Sequence, residues 1–453
     1  MIDPMRSALP PADPAALAEV RALADGPLAG EAVPLLDWLY RLNEAWGGLH
    51  VAHLRALAGE LGQPLPALQE AARHARLPLL ADGEQPSGLT LHLCDGPACA
   101  LAGSAGLQAQ ARAMLDGAVR ILSATCLGRC DQAPAALVGQ VPVAPATAAS
   151  LLNTLRREAA CAPGRMGSAR GAPDAVGDLA YRAAGGYALA AALANEPAAA
   201  ERVLDVVAEA GVHGAQGPLA GQWRALRAQA APRVLTVAIG GTAGAFADRQ
   251  HIERDPHRFL EGLLIAAQVV GAESAVIVLA DDHHDARVLL AAELQRLRAH
   301  PPFPLPKVVL RRGAGVTLCG QSAEWSGEPA GNQDFEVLFG LRELLEKGAA
   351  WSNGHGRRGA RGLRHFSVSG RVQSPGVKRA PAGISLRELV DEYCDGMADG
   401  AVLQAYLPGG LAGGILPAHL ADLPLDDAAL QPYGGALGPA AIVVLGRQDG
   451  ARA

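Results

Sequence analysis

Apolar and polar positions alternate with different periods along the chain. From Val33 to about Leu77 the apolar residues recur at helical spacing. Leu35, Leu36, Leu39 and Leu42 mark one helix, Leu54, Leu57 and Leu61 a second, and Leu65 with Leu68 opens a third. The polar, glycine-bearing run Asp82–Gly88 reads as a linker. The period then shortens: Leu89–Leu93 alternates as a strand, Ser104–Leu115 returns to helix, and Val119–Leu122 is a second strand. Beyond residue 230 strand and helix take turns. Val234–Ile239, Ala275–Leu279 and Lys307–Leu310 are strands, and Pro256–Val270 and Ala286–Leu297 are helices. That alternation predicts an α/β layer with a largely parallel sheet. His365–Ser369, helix Leu386–Tyr393, strand Val402–Leu407 and the closing strand Ala441–Leu445 suggest a small β-grasp-like unit.

Composition adds bounds. With 453 residues and 50% apolar positions, the chain can build several packed cores, roughly two to four domains. A net charge of −6 argues against non-specific nucleic-acid binding, which needs a basic surface. The N-terminus lacks a basic region followed by an apolar run, so no signal peptide is expected. The longest apolar stretch, Leu263–Ala280, is interrupted by Gln268 and Glu273, which predicts a helix end and a strand, not a membrane span. A cytoplasmic protein is the expectation.

Four of the seven cysteines stand in two close pairs, Cys94-x4-Cys99 and Cys126-x3-Cys130, each in a loop after a strand. Four thiolates at such spacing suit a [2Fe-2S] cluster, and they also suit a structural Zn²⁺. Gly240, Gly241 and Gly244 follow a strand, where a phosphate cradle or a plain tight turn would fit, but no G-x-G-x-x-G is present. Asp281-Asp282-His283-His284 reads as a capped, solvated turn rather than a metal site. The basic loop 354–362, with Arg357, Arg358 and Arg361, reads as a mobile surface loop ahead of a dock for an acidic partner. Cys161, Cys319 and Cys394 are expected to be inert thiols.

Taken together these motifs resemble two adjacent subunits of the peripheral arm of complex I, fused as in NAD-reducing hydrogenases and NAD-linked formate dehydrogenases. The two cysteine loops and Ala133-Pro134 resemble the thioredoxin-like [2Fe-2S] subunit, with a shorter stretch between the pairs. Asp248-Arg249, Glu253–His257 and Glu261-Gly262 resemble the flavin- and NADH-binding subunit. Phe366–Gly370 with Pro375-Gly376-Val377 is similar to that family's ubiquitin-like domain, and Pro408-Gly409-Gly410 to the loop after it. The resemblance implies an α/β multidomain fold. Its parts are a disordered or extended N-terminus over 1–30, helices over 31–87, a thioredoxin-like [2Fe-2S] domain over 88–160 and a linker over 161–180. A flavin-subunit-like α/β domain over 181–353 and a β-grasp domain over 363–446 follow. It implies Cys94, Cys99, Cys126 and Cys130 as cluster ligands, and Gly214, Gly217, Gly240, Gly241 and Gly244 as the remains of a flavin site.

The departures matter as much. The family's G-R-G-G-A-G-F-P-T-G loop is here Gly214–Gly221, without the Arg and with Pro218 in place of an N–H donor. Its D-E-G-E-P-G loop is Ile239–Gly244, without a carboxylate, and its C-G-E-E is Cys319-Gly320-Gln321-Ser322, without the acids. The C-x2-C-x2-C motif of the family's [4Fe-4S] domain is not in the sequence. The expectation is an electron-transfer and scaffolding subunit of a multi-subunit oxidoreductase, formate-dehydrogenase-like, with a [2Fe-2S] cluster and with FMN and NAD(H) binding in question. Its partners would be other subunits, among them a molybdenum or tungsten formate dehydrogenase catalytic subunit, with no nucleic acid and no membrane insertion. The alternatives are a working diaphorase that exchanges electrons with NAD(H) through FMN, and a non-redox assembly protein with Zn²⁺ at the four cysteines.

Overall fold

The computed structural model describes residues 13–24, 34–75, 77–81, 84, 89–115, 119–159, 175–196, 198–214, 217–240, 242–313 and 330–449. Order begins earlier than the Ala- and Pro-rich composition suggests. Pro14–Ala24 is a helix, not a disordered or extended segment. Its Ala16 and Val20 are buried against helix Val51–Leu61, and Arg21 and Glu19 reach Glu60 and His53 at 2.9 and 2.6 Å. The three helices anticipated downstream run Leu35–Trp46, Val51–Leu61 and Leu65–His74. Gly47 and Gly62 end the first two in the left-handed conformation that glycine adopts without a Cβ penalty.

Strand Thr90–Cys94 pairs in parallel with Arg120–Ala124 and antiparallel with Ala136–Val138, which pairs in turn with Val141–Val143. Helices Ser104–Leu115 and Ala148–Ala159 pack on this sheet through Leu107, Ala111, Leu151 and Leu155. The linker expected over 82–88 falls mostly outside the described residues, as does 161–174 of the linker expected over 161–180. The far end of the latter is helical instead: Asp178–Ala183 buries Asp178 and Tyr181, and Tyr181 donates to the buried Glu261 at 2.6 Å.

The next sheet is wholly parallel, with spatial order Lys307–Gly313, Ser274–Ala280, Val234–Ile239, Ala330–Gln333. The chain starts inside at Val234–Ile239, steps outward twice, and returns on the other side. The turn after Val234–Ile239 therefore opens at the carboxyl end of the sheet where the strand order reverses, the crevice in which such sheets bind ligands. Helix Pro256–Val270 is buried on almost every face. At Gly262 an added Cβ would lie 1.8 Å from the Leu338 carbonyl oxygen, so only glycine permits this crossing with helix Phe335–Asn353.

A five-stranded mixed sheet follows, in the order Gly376–Pro381, Leu363–Gly370, Ala441–Gly446, Leu403–Leu411, Leu416–Pro417. The middle pair, Leu363–Gly370 with Ala441–Gly446, is parallel, and the outer pairs are antiparallel, as a β-grasp requires. Helix Leu386–Tyr393 starts with a capping box between Ser385 and Glu388 and covers one face. Pro408-Gly409-Gly410, expected in a loop, lies inside the long strand Leu403–Leu411. Its glycines serve close approach: a Cβ on Gly410 would lie 2.3 Å from the Ala243 carbonyl oxygen.

Candidate metal centre

The parallel register sets Cys94 beside Ala124, so both cysteine loops leave the same end of the sheet. Cys94 ends its strand, Cys99 sits on the short helix Pro97–Leu101, and Cys126 and Cys130 flank the next loop. All four are free thiols and are buried, between 1% and 7% exposed. Gly96 has to be glycine because a Cβ there would stand 2.5 Å from the Thr125 carbonyl oxygen, the point where the two loops touch.

The sulfurs form a chain. Cys94 is within hydrogen-bonding reach of Cys99 and Cys126, and Cys126 lies 3.6 Å from Cys130. Proton affinity alternates along it. Hydrogen bonds from Cys130 and Cys94 hold Cys126 well below the ordinary thiol range, and a bond from Cys94 lowers Cys99. Cys94 and Cys130 are pushed up, chiefly because they donate to Cys126. Among the described residues, no three His, Cys, Asp or Glu side chains close around one point as for a single metal ion. Cys94 with Cys99 and Cys126 with Cys130 form two pairs in series, an arrangement that suits a two-iron cluster in which each iron takes two cysteine sulfurs.

The Cys126–Cys130 loop is buried against the glycine turn of the parallel sheet and not against its own domain alone. Ala98, Cys126 and Cys130 share one apolar cluster with Ala243 and Phe246. Cys126 Sγ accepts the N–H of Gly128 at 3.3 Å and that of Gly244 at 3.4 Å. Arg249, fully buried, donates through Nε to the Gly128 carbonyl at 2.9 Å and through Nη2 to Asp131 at 3.1 Å. Arg129 reaches the other way, to Glu253 at 3.3 Å and Asp285 at 3.6 Å.

Two N–H groups of the glycine turn, those of Gly240 and Gly244, are bonded within the chain. Gly240 N–H goes to the half-buried Asp248 carboxyl, and just beyond the turn Phe246 and Ala247 donate to Ser367 Oγ at 3.1 and 3.0 Å. Burial, reinforced by the charges of Asp334 and Glu336, raises the pKa of Asp248 to about 7. Gly214 and Gly217 pair across a two-residue hairpin whose neighbours include Gln222 and Leu219. Gly241 lies outside the described residues.

Sequence reasoning missed His283. The turn expected to be solvated instead buries this ring completely, between Gly128 of the cysteine loop and Gly240 of the glycine turn. Neither ring nitrogen has a hydrogen-bond partner among the described residues. Asp281 of the same run pairs with Arg312, and His284 contacts Arg287. The signal was the position: a histidine at the carboxyl end of the strand beside Val234–Ile239 faces the crevice. The basic loop is likewise tied down. Arg357 and Arg358 form ion pairs with Glu392 and Glu388 of the β-grasp helix, which explains why it is not a loose surface loop. Cys394 is buried in the β-grasp core, and that burial raises its thiol to about 11; Cys161 and Cys319 lie outside the described residues. No helix among the described residues is long and apolar enough to cross a membrane.

Comparison with known proteins agrees with this layout. Residues 32–158 match the thioredoxin-like [2Fe-2S] ferredoxin family, and residues 207–331 match the Nuo51 FMN-binding domain. An NADH-quinone oxidoreductase chain of Rhizobium meliloti is 29% identical over 304 residues, covering 58% of this chain and 71% of that protein. The mitochondrial NADH-ubiquinone oxidoreductase 51 kDa subunit of Neurospora crassa is 29% identical over 47% of this chain, and the chain spans about half (50%) of its length. A chain of an NAD+-reducing [NiFe]-hydrogenase in the air-oxidized state superposes with a TM-score of 0.72 at 23% identity, over 92% of this chain and 78% of that one. In sequence motifs and in fold, this chain resembles the [2Fe-2S] subunit and the flavin- and NADH-binding subunit of complex I-like oxidoreductases joined in one polypeptide.

Proposed function

We propose that the protein is an electron-relay and docking subunit of a larger oxidoreductase, with Cys94, Cys99, Cys126 and Cys130 holding a [2Fe-2S] cluster. The flavin-type module acts as its scaffold. One-electron storage and transfer is the chemistry such a cluster supplies when bound. The protein's own part is to bury the four sulfurs, exclude water from them and supply N–H donors to Cys126. The observation that carries this reading is the contrast between intact sulfur ligands and a glycine turn in which Gly240 and Gly244 give their N–H groups to Asp248 and Cys126. A module in that state positions a partner and does not exchange hydride.

The test is composition. Purified protein should contain two irons and two acid-labile sulfides per chain, show a [2Fe-2S] electron paramagnetic resonance signal after dithionite, and lack flavin. Stoichiometric FMN after gentle purification would overturn the scaffold role, and zinc without iron would overturn the relay. The match of residues 207–331 to an FMN-binding family favours a second reading, a working diaphorase. Stopped-flow mixing with NADH separates the two, since flavin bleaching supports only the diaphorase. The partner we propose is a formate-dehydrogenase-type catalytic subunit, on the strength of the fused arrangement; the chains that co-purify with this one test it.

A further inference from the structure

We infer that the flavin-type module is the outer electrostatic shell of the cysteine centre, and that Arg249 is the positioning residue through which it sets the centre's reduction potential. This rests on the reading that the four cysteines hold a [2Fe-2S] cluster. Three observations carry it.

The first is a sulfur hydrogen bond that crosses between modules. Gly244 N–H points at Cys126 Sγ from a residue 118 positions away in sequence. N–H···S bonds stabilise the more negative, reduced state of an iron–sulfur centre and so raise its potential. Of these two backbone donors, Cys126 without the module keeps the one from its own loop, Gly128.

The second is the placement of a cation. Arg249 is 0% exposed, and its guanidinium bonds to the backbone oxygen of Gly128, midway between Cys126 and Cys130, and to Asp131, next to Cys130. Water does not screen it there, so its charge, partly offset by Asp131 and Glu253, acts on the loop at short range. Arg249 belongs to helix Ala247–Arg254 of the flavin-type module and touches neither substrate nor sulfur. It acts through the loop it clamps.

The third is a counter-charge on the same helix. Glu253 accepts from Arg249 and from Arg129 of the cysteine loop, so this carboxylate is shared by both guanidinium groups, beside Asp131 on Arg249. Asp285 stands 3.6 Å from Arg129, and Gln250 donates to Asp131 at 3.2 Å. The helix thus presents charges of both signs to one centre, which gives the inference an unusual test: two substitutions on one helix should move the potential in opposite directions.

The experiment is a redox titration of the full chain, monitored by the paramagnetic resonance signal of the reduced cluster, for wild type, Arg249→Gln, Arg249→Lys and Glu253→Gln. At a fixed ambient potential near the wild-type midpoint, Arg249→Gln should lower the reduced-to-oxidised ratio about tenfold, equivalent to about 59 mV for a one-electron couple. Arg249→Lys keeps the charge and should stay near wild type, and Glu253→Gln should raise the ratio. Should Arg249→Gln lose its iron, the comparison of Arg249→Lys with Glu253→Gln still decides. Midpoints that do not move, or that move the same way for Arg249→Gln and Glu253→Gln, would overturn the inference while leaving the cluster in place. A wild-type protein without a cluster signal would overturn the reading beneath it instead.

Discussion

The contact of His283 with two glycines can be tested by filling the space at one of them. Gly240 has φ +70, and a Cβ there would lie 2.4 and 2.7 Å from Cε1 and Nδ1 of His283. Ordinary carbon contacts fall at about 3.5–4 Å, so the ring would have to retreat by roughly 1 Å. On its other side the ring already fills the place of a Gly128 side chain, with Nε2 2.3 Å from where that Cβ would stand, so the Gly128 backbone limits its retreat. Alanine in the left-handed region costs about 1–2 kcal/mol, and overpacking a buried site adds about 1–3 kcal/mol. Gly240→Ala should therefore destabilise the protein by about 2–5 kcal/mol. In a His283→Ala background the ring is gone, and the same substitution should cost only the backbone part, about 1–2 kcal/mol. Urea unfolding of the four proteins of this cycle, followed by circular dichroism and by iron release, gives the coupling directly. A coupling near zero, or a Gly240→Ala cost that His283→Ala does not reduce, would refute the wedge geometry.

Three further outcomes are expected. Cys126→Ser removes the sulfur that accepts both N–H donors and should leave the protein folded but with iron content reduced at least severalfold, read by metal analysis and the loss of visible absorption. Asp248, raised to about 7 from 3.8, keeps its proton in the folded state while the unfolded chain has lost it, so its contribution to stability declines as pH rises from about 4 to about 7 and is flat above. Asp248→Asn should remove that decline and gain on wild type at pH 7 relative to pH 5 in parallel urea titrations; a gain equal at both pH values would contradict the assignment. Gly262→Ala puts a Cβ against the Leu338 carbonyl and should lower the unfolding midpoint strongly, whereas Gly340→Ala, with open space around its Cβ position, should change it little in calorimetry.

Much of this was legible in local pattern, and the reasons are specific. Helix Pro256–Val270 announces itself by a proline at its start, a glycine at its end and an apolar run between. Asp255 caps it by accepting from Arg258. The cysteine pairs were visible because strand periodicity places both in loops at one sheet end. What sequence could not give is contact between distant segments. Nothing local distinguishes His283 from His284, yet one is fully buried between two loops and the other contacts Arg287. Helix Pro14–Ala24 was hidden for the opposite reason: its alanine-rich stretch carries a weak apolar stripe, and its stability comes from packing on Val51–Leu61. The basic loop looked loose because Glu388 and Glu392, which hold it, lie some thirty residues on.

The start of helix Ala247–Arg254 is the feature with the widest reach. Its own N-cap residue, Phe246, supplies no side-chain acceptor; the open donors at that end are closed by Ser367, from a strand of the β-grasp sheet about 120 residues later. A nascent chain leaving the ribosome would have its thiols exposed long before that serine is made. Maturation would then run from back to front: the later-translated sheet docks, the short helix is completed, and only afterwards is the thiol loop sealed from solvent. The thiol loop would thus have an open interval set by translation itself, and a lesion that delays the sheet carrying Ser367 would lengthen it.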